Sequence, residues 1–460
     1  MRRLSLDPAR GLEKLARYPF HVLSWVDAGG YPMSVAIGAS ISPGARTATF
    51  VPPAGLPVPT DREISLTGSH IRPQPGYGYD ERRHVTAWGR AVRQGEALVL
   101  TATSAWGWDE QELPFFEYSE RSVGQSRRYF DALSAERGTP VKPRLSPGWL
   151  ILRATRLPFL SATIVPVVLG IAIAAAHGAF DLVTAVLTLI GASFAQLGLN
   201  VANDVFDSMQ GADEANVTPT RYSGGSRVIQ YGLVTFRRMA ATAATFYVAA
   251  AAIGLVLLAL RGSFALLTIG VVGFVISLAY TAPPLKLVYR GLGEIAVAVG
   301  FGPLMLLGAY VVQTGGALSW EPVVASIPIA LLVALILYVN EIPDRRGDEH
   351  AGKRTLPVRF GRDAVILGYD LTVVAAYAAL VIGVALGVLP IPTLLALLTI
   401  PLAYRVHAGL RPNYDNPYGL MAVMAVNIQV HLFAGVLLLA AYLIVLVVGA
   451  LAPGVPLFIR

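Results

Sequence analysis

From Trp149 to the C-terminus the chain is a succession of long apolar runs, at about 155–176, 181–203, 238–260, 264–282, 292–312, 322–341, 364–388, 391–409 and 421–450. Most hold the ~20 apolar residues a helix needs to cross a bilayer core, and Gly, Pro or charged clusters divide them. Ahead of residue 149 the pattern changes. Residues 21–26 and 31–37 are β-rich and flank Asp27-Ala-Gly-Gly30, which predicts a hairpin. Further strands are expected at 47–51, 63–67, 85–92 and 97–103, with Pro- and Gly-rich turns at 51–57 and 72–79. Charged and apolar residues alternate at helical spacing over 113–136, so that segment reads as a helix. The predicted architecture is a soluble β-barrel with a closing helix over 1–137 and a Pro/Gly linker over 138–148. An all-α polytopic membrane domain of nine helices follows over 149–460.

Composition supports the membrane reading. Of 460 residues 54% are hydrophobic and only 14% charged, too apolar for an ordinary soluble enzyme. The absence of cysteine excludes disulfides and thiolate metal or redox sites. The net charge of +7 does not point to nucleic acid, because the basic residues sit mainly in short loops between apolar runs. No apolar core follows Met-Arg-Arg, so no cleavable signal peptide is expected. Lys and Arg crowd one side of the membrane, from Arg153 and Arg156 through Arg221, Arg227, Arg237 and Arg238 to Arg405 and Arg411. Only Arg261 and Arg460 fall on the other. The asymmetry places the crowded side, and the N-terminal domain, in the cytoplasm of a cell (inner) membrane, with the C-terminus outside.

Two polar stretches stand out on the crowded side: Asn200-Val-Ala-Asn-Asp-Val-Phe-Asp207 and Asn340-Glu-Ile-Pro-Asp-Arg-Arg-Gly-Asp348. Their Asn and Asp residues recur every three or four positions and share a helix face. Carboxylates beside a bilayer are costly, which favours a functional reading. One such cluster alone is as readily the first solvated turn of a loop; two with matched spacing, each followed by a basic segment, are harder to explain that way. Oxygen-only clusters suit a hard cation, and Mg²⁺ commonly borrows substrate phosphate oxygens, so a diphosphate held between the two edges through Mg²⁺ is expected. The edges lie four spans apart in the same direction, which suggests a parallel repeat with the site at its interface. A third stretch, Tyr280 to Glu294, brings Lys286 and Arg290 to the same side. With Arg227, Lys353 and Arg354 they would surround the edges with positive charge, as a departing diphosphate requires. As a plainer reading, Lys286 and Arg290 are orientation charges or lipid contacts.

These motifs resemble the UbiA-type intramembrane prenyltransferases over roughly residues 150–450. The resemblance rests on Asn203-Asp204-Val-Phe-Asp207 with Gly211 and Asp213, on the Tyr280–Lys286 loop, and on Asn340 to Asp348 followed by Gly352-Lys-Arg-Thr. It implies nine helices around a central cavity, two Mg²⁺ ions, a polyprenyl diphosphate donor and an aromatic or other acceptor. Gly211-Ala-Asp213, Gly224-Gly-Ser-Arg-Val-Ile-Gln230 and Phe301-Gly-Pro-Leu-Met with Gln313-Thr-Gly315 look most like the 1,4-dihydroxy-2-naphthoate prenyltransferases of menaquinone synthesis. By position, Asp204, Asp207, Asp344 and Asp348 would hold the metal. Asn200, Asn203 and Asn340 would complete that shell, and Arg227, Lys286, Arg290, Lys353 and Arg354 would meet the diphosphate. Tyr280 would stabilise the allylic cation or assist deprotonation, with interfacial packing the alternative. The second motif departs from the Asn-Asn-x-x-Asp of many members: Glu341 adds a carboxylate, and Pro343 is expected to disturb the last turn. That leaves 4-hydroxybenzoate or a lipid open as acceptor. The front segment resembles the split-barrel flavin family typified by pyridoxamine phosphate oxidase. That implies a flavin mononucleotide, with Arg72, Arg82, Arg83, His84 and Arg90 either a phosphate site or a solvated basic rim. A transporter and a membrane-anchored flavin protein are the readings from other classes.

Overall fold

The computed structural model describes residues 5–73, 79–141, 145–452 and 455–459. Part of the Pro/Gly turn (74–78), linker residues 142–144 and Arg460 lie outside the described residues. The chain forms two compact units, Met1–Gln125 and Ser126–Arg460.

The first unit is built on an antiparallel sheet of β1 (Ser5–Leu6), β2 (His21–Val26), β3 (Pro32–Ile37), β4 (Ser40–Ser42), β5 (Thr47–Phe50), β6 (Glu63–Pro73), β7 (Tyr79–Gln94) and β8 (Ala97–Asp109). The expected hairpin is β2–β3, in register from Val26 opposite Pro32 to His21 opposite Ile37. The Asp27 carboxylate accepts the Tyr31 N–H (2.8 Å) and closes its turn. Strand order is β3-β2-β6-β7-β8-β5-β4, with β1 on β8. This corrects the expected barrel: among the described residues the end strands β3 and β4 do not pair with each other, so the sheet stays open. β4 is only three residues long and its ladder goes to β5, from Ser40 opposite Thr49 to Ser42 opposite Thr47. Leu12, Leu15, Leu23, Ile64, Leu66, Leu98 and Leu100 form the sealed core.

Among the described residues, the five basic side chains expected to hold a phosphate form no anion cradle. Arg72 pairs with Asp80 (2.8 Å) and Glu81 (3.2 Å), and Arg82 bonds Glu110 and covers the Phe115 ring at 4.1 Å. His84 packs on Trp106, Trp108 and Tyr118, and burial pushes its imidazole below the usual range. By strand alternation Arg83 faces away from Arg82, His84 and Arg90. The expected flavin site is not supported by the described residues of this unit. The helix expected at 113–136 is Phe115–Arg137.

Among the described residues of the second unit, nine helices are long and apolar enough to cross a membrane. Spans 1 to 9 are Leu157–Ala176, Leu182–Met209, Phe236–Arg261, Phe264–Thr281, Gly293–Thr314, Trp320–His350, Arg362–Ala385, Ile391–Asn413 and Pro417–Leu451. Polar caps begin several of them. The Asp181 carboxylate accepts the Thr184 N–H (2.8 Å) and the Ser319 hydroxyl the Glu321 N–H (3.3 Å). Gly262 and Gly315 close spans 3 and 5 in the left-handed conformation that spares glycine a Cβ clash. Spans 1, 5, 6, 7, 8 and 9 share one apolar core, and span 6 is the most enclosed. Spans 3 and 4 turn Val248, Leu255, Phe264, Val271 and Val275 outward. A surface of that kind suits lipid rather than water.

Spans 2 and 6 outrun the expected ends at 203 and 341, reaching Met209 and His350. Pro343 does not break the last turn as expected. It lacks only its own N–H, and the turns around it are held from outside. Arg345 donates to the Ile342 carbonyl (2.7 Å) and the Tyr414 carbonyl (3.2 Å) and pairs with Asp415. The extra turns carry the carboxylates of both edges. At the opposite end, Asp181 pairs with Arg261 (3.4 Å) and His177 with Glu321 (2.7 Å).

Candidate active site

The extended ends of spans 2 and 6 meet at one polar cavity of about 160 Å³. Asn200, Asn203 and Asp207 line it from span 2, Asn340, Glu341, Asp344 and Asp348 from span 6, and Tyr280 from span 4. Lys353 and Arg156 complete the polar wall. The two sequence motifs, more than 130 residues apart in the chain, therefore face one space.

Lys353 links the edges. Its ammonium lies 3.6 Å from Asp207 and 3.6 Å from Asp348. Burial works against its charge, but Asp207 and Asp348 outweigh that and hold it well above the ordinary lysine range. The other Asp207 oxygen accepts the Tyr289 hydroxyl (2.9 Å), and Asn203 donates to Asp207 (3.0 Å) while accepting from Thr281 (2.6 Å). Burial, with Asp207 adding to it, raises the Tyr289 phenol, which keeps it a donor. Asn200 donates to the Thr155 carbonyl (2.9 Å) and so fixes the entry of span 1 against span 2.

The loop between spans 2 and 3 ties both edges together through its backbone. Gly224 N–H donates to Asp344 (2.8 Å), and Ser226 N–H to Asp204 (3.2 Å). Gly224 and Gly225 both have positive φ, and a Cβ on Gly225 would stand 2.6 Å from an Asp213 oxygen, so only glycine fits. Asn216 donates to the second Asp344 oxygen (2.8 Å).

The remaining expected residues lie around this centre. Asp204 is turned from the cavity and forms an ion pair with Arg156. Arg227 is buried, donates to the Asp213 carbonyl and reaches the Tyr231 ring. Lys286 sits 5.5 Å over the Tyr289 ring. Arg290 is exposed and donates to the Pro284 carbonyl (3.0 Å), and Arg354 is also exposed. Sequence reasoning passed over Arg156, counted only as a loop charge. Burial opposes its charge, but Asp204 and Asp213 hold it above its ordinary value. It also passed over Asn216 and Tyr289, and gave Asp213 no role. Asp213 lines the cavity, where burial, with Asp204 and Asp207 adding to it, pushes its carboxyl well above the usual range. No spacing marks Asn216 or Tyr289; the one available signal was the clustering of Asp213, Asn216 and the Gly-Gly pair in a single loop.

Does the site suit a metal? Among the described residues no three acidic or histidine side chains converge as a ready-made metal site. The carboxylates instead hold protein donors. Yet the donors on both walls are oxygens, and one buried Asp348 oxygen has no hydrogen-bond partner. That set fits a hard divalent cation arriving with oxygen ligands of its own.

A second, apolar chamber of about 500 Å³ adjoins the polar one, and Gln196, Leu199, Tyr280, Val297 and Phe301 line both. Its walls come from spans 2 to 5, with Val167 of span 1.

The profile of the UbiA prenyltransferase family matches residues 163–428. The chain is 28% identical over 312 residues to a 2-carboxy-1,4-naphthoquinone phytyltransferase of Synechocystis, covering 66% of this chain and 97% of that protein. It is 27% identical over 307 residues to a 1,4-dihydroxy-2-naphthoate octaprenyltransferase of Bacillus subtilis, covering 67% and 96%. The solved apo structure of a UbiA homolog from Aeropyrum pernix K1 shares 18% identity at a TM-score of 0.46, covering 65% of this chain and 99% of that one. Another, from Archaeoglobus fulgidus and bound to GPP and Mg²⁺, shares 15% at 0.44, covering 63% and 99%.

Proposed function

The chain belongs to the UbiA prenyltransferase family, and from that premise we propose that it moves a polyprenyl group from a polyprenyl diphosphate to 1,4-dihydroxy-2-naphthoate. The observation that carries the reading is the joining of a polar cavity, walled by both Asn/Asp edges, to an apolar chamber. A donor with a charged head and a long apolar tail needs both. Mg²⁺ would be held by Asp207, Asp344 and Asp348, with Asp204 behind them, and would neutralise charge on the leaving diphosphate.

The chain's own groups do the rest. Lys353 and Arg156, inside the cavity, face the diphosphate oxygens as the allylic C–O bond breaks. Asn200, Asn203 and Asn340 orient the head, and Arg227 braces the Asp213 loop. Lys286, Arg290 and Arg354 form the outer rim that draws anions in. Tyr280 and Phe301, where the two spaces join, shield the allylic cation from water. The acceptor must be electron-rich enough to attack that cation, and two ring hydroxyls supply the density. Both relatives quoted above are named for bicyclic naphthoate or naphthoquinone acids.

Attack at the carbon bearing the carboxylate restores aromaticity only when carbon dioxide leaves. Each prenyl transfer is therefore expected to release one carbon dioxide. With carboxyl-labelled acceptor the label should leave as gas in step with product, and its retention in the product would rule out this route. Good use of 4-hydroxybenzoate or a lipid, with none of the naphthoate, would move the protein to another branch of the family.

We place the motif end of the bundle in the cytoplasm, from the asymmetry of Lys and Arg. The chain has no cysteine, so single cysteines report cleanly. Gly347 cannot serve, since a Cβ there would stand 2.8 Å from the Asn216 backbone. Exposed Glu349 and Leu318 can. Leu318→Cys should react with an impermeant reagent on intact cells and Glu349→Cys should not; the reverse pattern would invert the topology.

A further inference from the structure

Glu341 is 4% exposed, lines the polar cavity, and has a hydrogen-bond partner on neither carboxylate oxygen. Buried polar atoms without partners are rare and call for a cause. Glu294 of span 5, also buried and with one oxygen unpartnered, lies beside it. The two acids face each other, and apart from Glu294 no protein donor reaches Glu341, so a ligand hydroxyl entering the cavity can supply one.

Its depth says which ligand. Along span 6, Glu341 stands about 4.5 Å inward of Asp344 and about 10 Å inward of Asp348, at the helical rise of ~1.5 Å per residue. Leu337 and Val333, further inward on the same cavity wall, are apolar. Glu341 is thus the innermost acid of its helix face, between the carboxylates that face the diphosphate and the apolar chamber. The carbon that loses the diphosphate lies on the chamber side of the head group, so the attacking ring must come to this level. Lys353 is engaged with Asp207 and Asp348 and makes no ion pair with Glu341.

Building on the proposed prenyl transfer, we propose that Glu341 accepts a hydrogen bond from a ring hydroxyl of the acceptor and thereby selects hydroxylated arenes. The bond holds the ring over the allylic carbon. It also draws the hydroxyl proton outward, which raises electron density at the attacking carbon. An Asn at this position would offer a neutral amide and hold the hydroxyl less firmly.

The test pairs Glu341→Gln with the two monomethyl ethers of 1,4-dihydroxy-2-naphthoate, using the full chain in lipid nanodiscs. In the wild type, methylating the recognised hydroxyl should lower kcat/KM by on the order of 10⁴-fold, because a site built for a hydroxyl rejects an analogue that lacks one. In E341Q, whose amide oxygen still accepts but carries no charge, that discrimination should shrink by about 10-fold. The KM for the naphthoate should rise, and binding of a non-hydrolysable prenyl thiolodiphosphate with Mg²⁺ should stay within about twofold of wild type. Loss of thiolodiphosphate binding in E341Q would make Glu341 part of the head-group site and overturn the proposal. Equal loss of rate with hydroxylated and methylated acceptors would show a structural role and overturn it as well. A wild type that prenylates no hydroxylated arene would overturn the proposed function itself, and this assignment with it.

Discussion

Asp207→Ala and Asp344→Ala are each expected to cut prenyl transfer by on the order of 10³-fold, the scale of losing a group aimed at charge that develops in the transition state. Asp207 is held by Tyr289, Asn203 and Lys353 on one wall of the cavity, and Asp344 by Asn216 and Gly224 on the other. If both walls serve one diphosphate, removing either disables the assembly. The double variant should then be scarcely worse than the singles, far from the product of the two losses. Asp344→Ala also strands two donors and should cost about 1–3 kcal/mol of stability. Asp344→Asn keeps one acceptor and removes the charge, at the cost of setting its amide N–H against the donor of either Asn216 or Gly224, so it should be less destabilised than the alanine variant and still be inactive. Near-normal turnover of either single variant at saturating Mg²⁺ would refute the assignment.

Lys353→Met should lower the maximal rate by about 10²-fold or more, through loss of the cation that faces the leaving diphosphate. Its second effect has the opposite sign. Lys353 neutralises Asp207 and Asp348 across the cavity, so removing it leaves two acids whose mutual repulsion a divalent cation relieves. The Mg²⁺ concentration for half-maximal activity should therefore fall while the rate falls. Titrating Mg²⁺ against initial rate in both proteins checks this. A higher Mg²⁺ requirement in the variant would mean that Lys353 helps assemble the metal site rather than standing in for the cation.

The nine spans were legible because crossing a bilayer demands about 20 apolar residues in a row, and a pattern that long survives local variation. The polar edges were legible where helical periodicity places them: Asn203 and Asp207, or Asn340, Asp344 and Asp348, fall on a common face by spacing alone and line one cavity. Periodicity is also why Asp204 was read beside Asp207. It cannot show that Arg156, arriving in the left-handed conformation just before span 1, pairs with Asp204 and faces it away from the cavity. Asn216 and Tyr289 were invisible for a related reason. Each reaches an acid of another span from an irregular loop, and loop contacts carry no period. In the front unit the hairpin was readable from its turn, but closure of the sheet depends on whether β3 and β4 find each other, and strand patterns do not encode that. The end of span 6 was misjudged at Pro343, since its neighbour Arg345 secures the turn through Ile342, Tyr414 and Asp415.

The central claim is that the two acidic edges together hold a prenyl diphosphate through a divalent cation. The most direct measurement uses the purified full chain in lipid nanodiscs with a polyprenyl diphosphate and 1,4-dihydroxy-2-naphthoate, following diphosphate release and prenylated product together. The account predicts equimolar release and product with Mg²⁺, neither in excess EDTA, and recovery of both when Mg²⁺ is restored. Undiminished transfer in EDTA, or an active protein that leaves the prenyl diphosphate untouched, would contradict it.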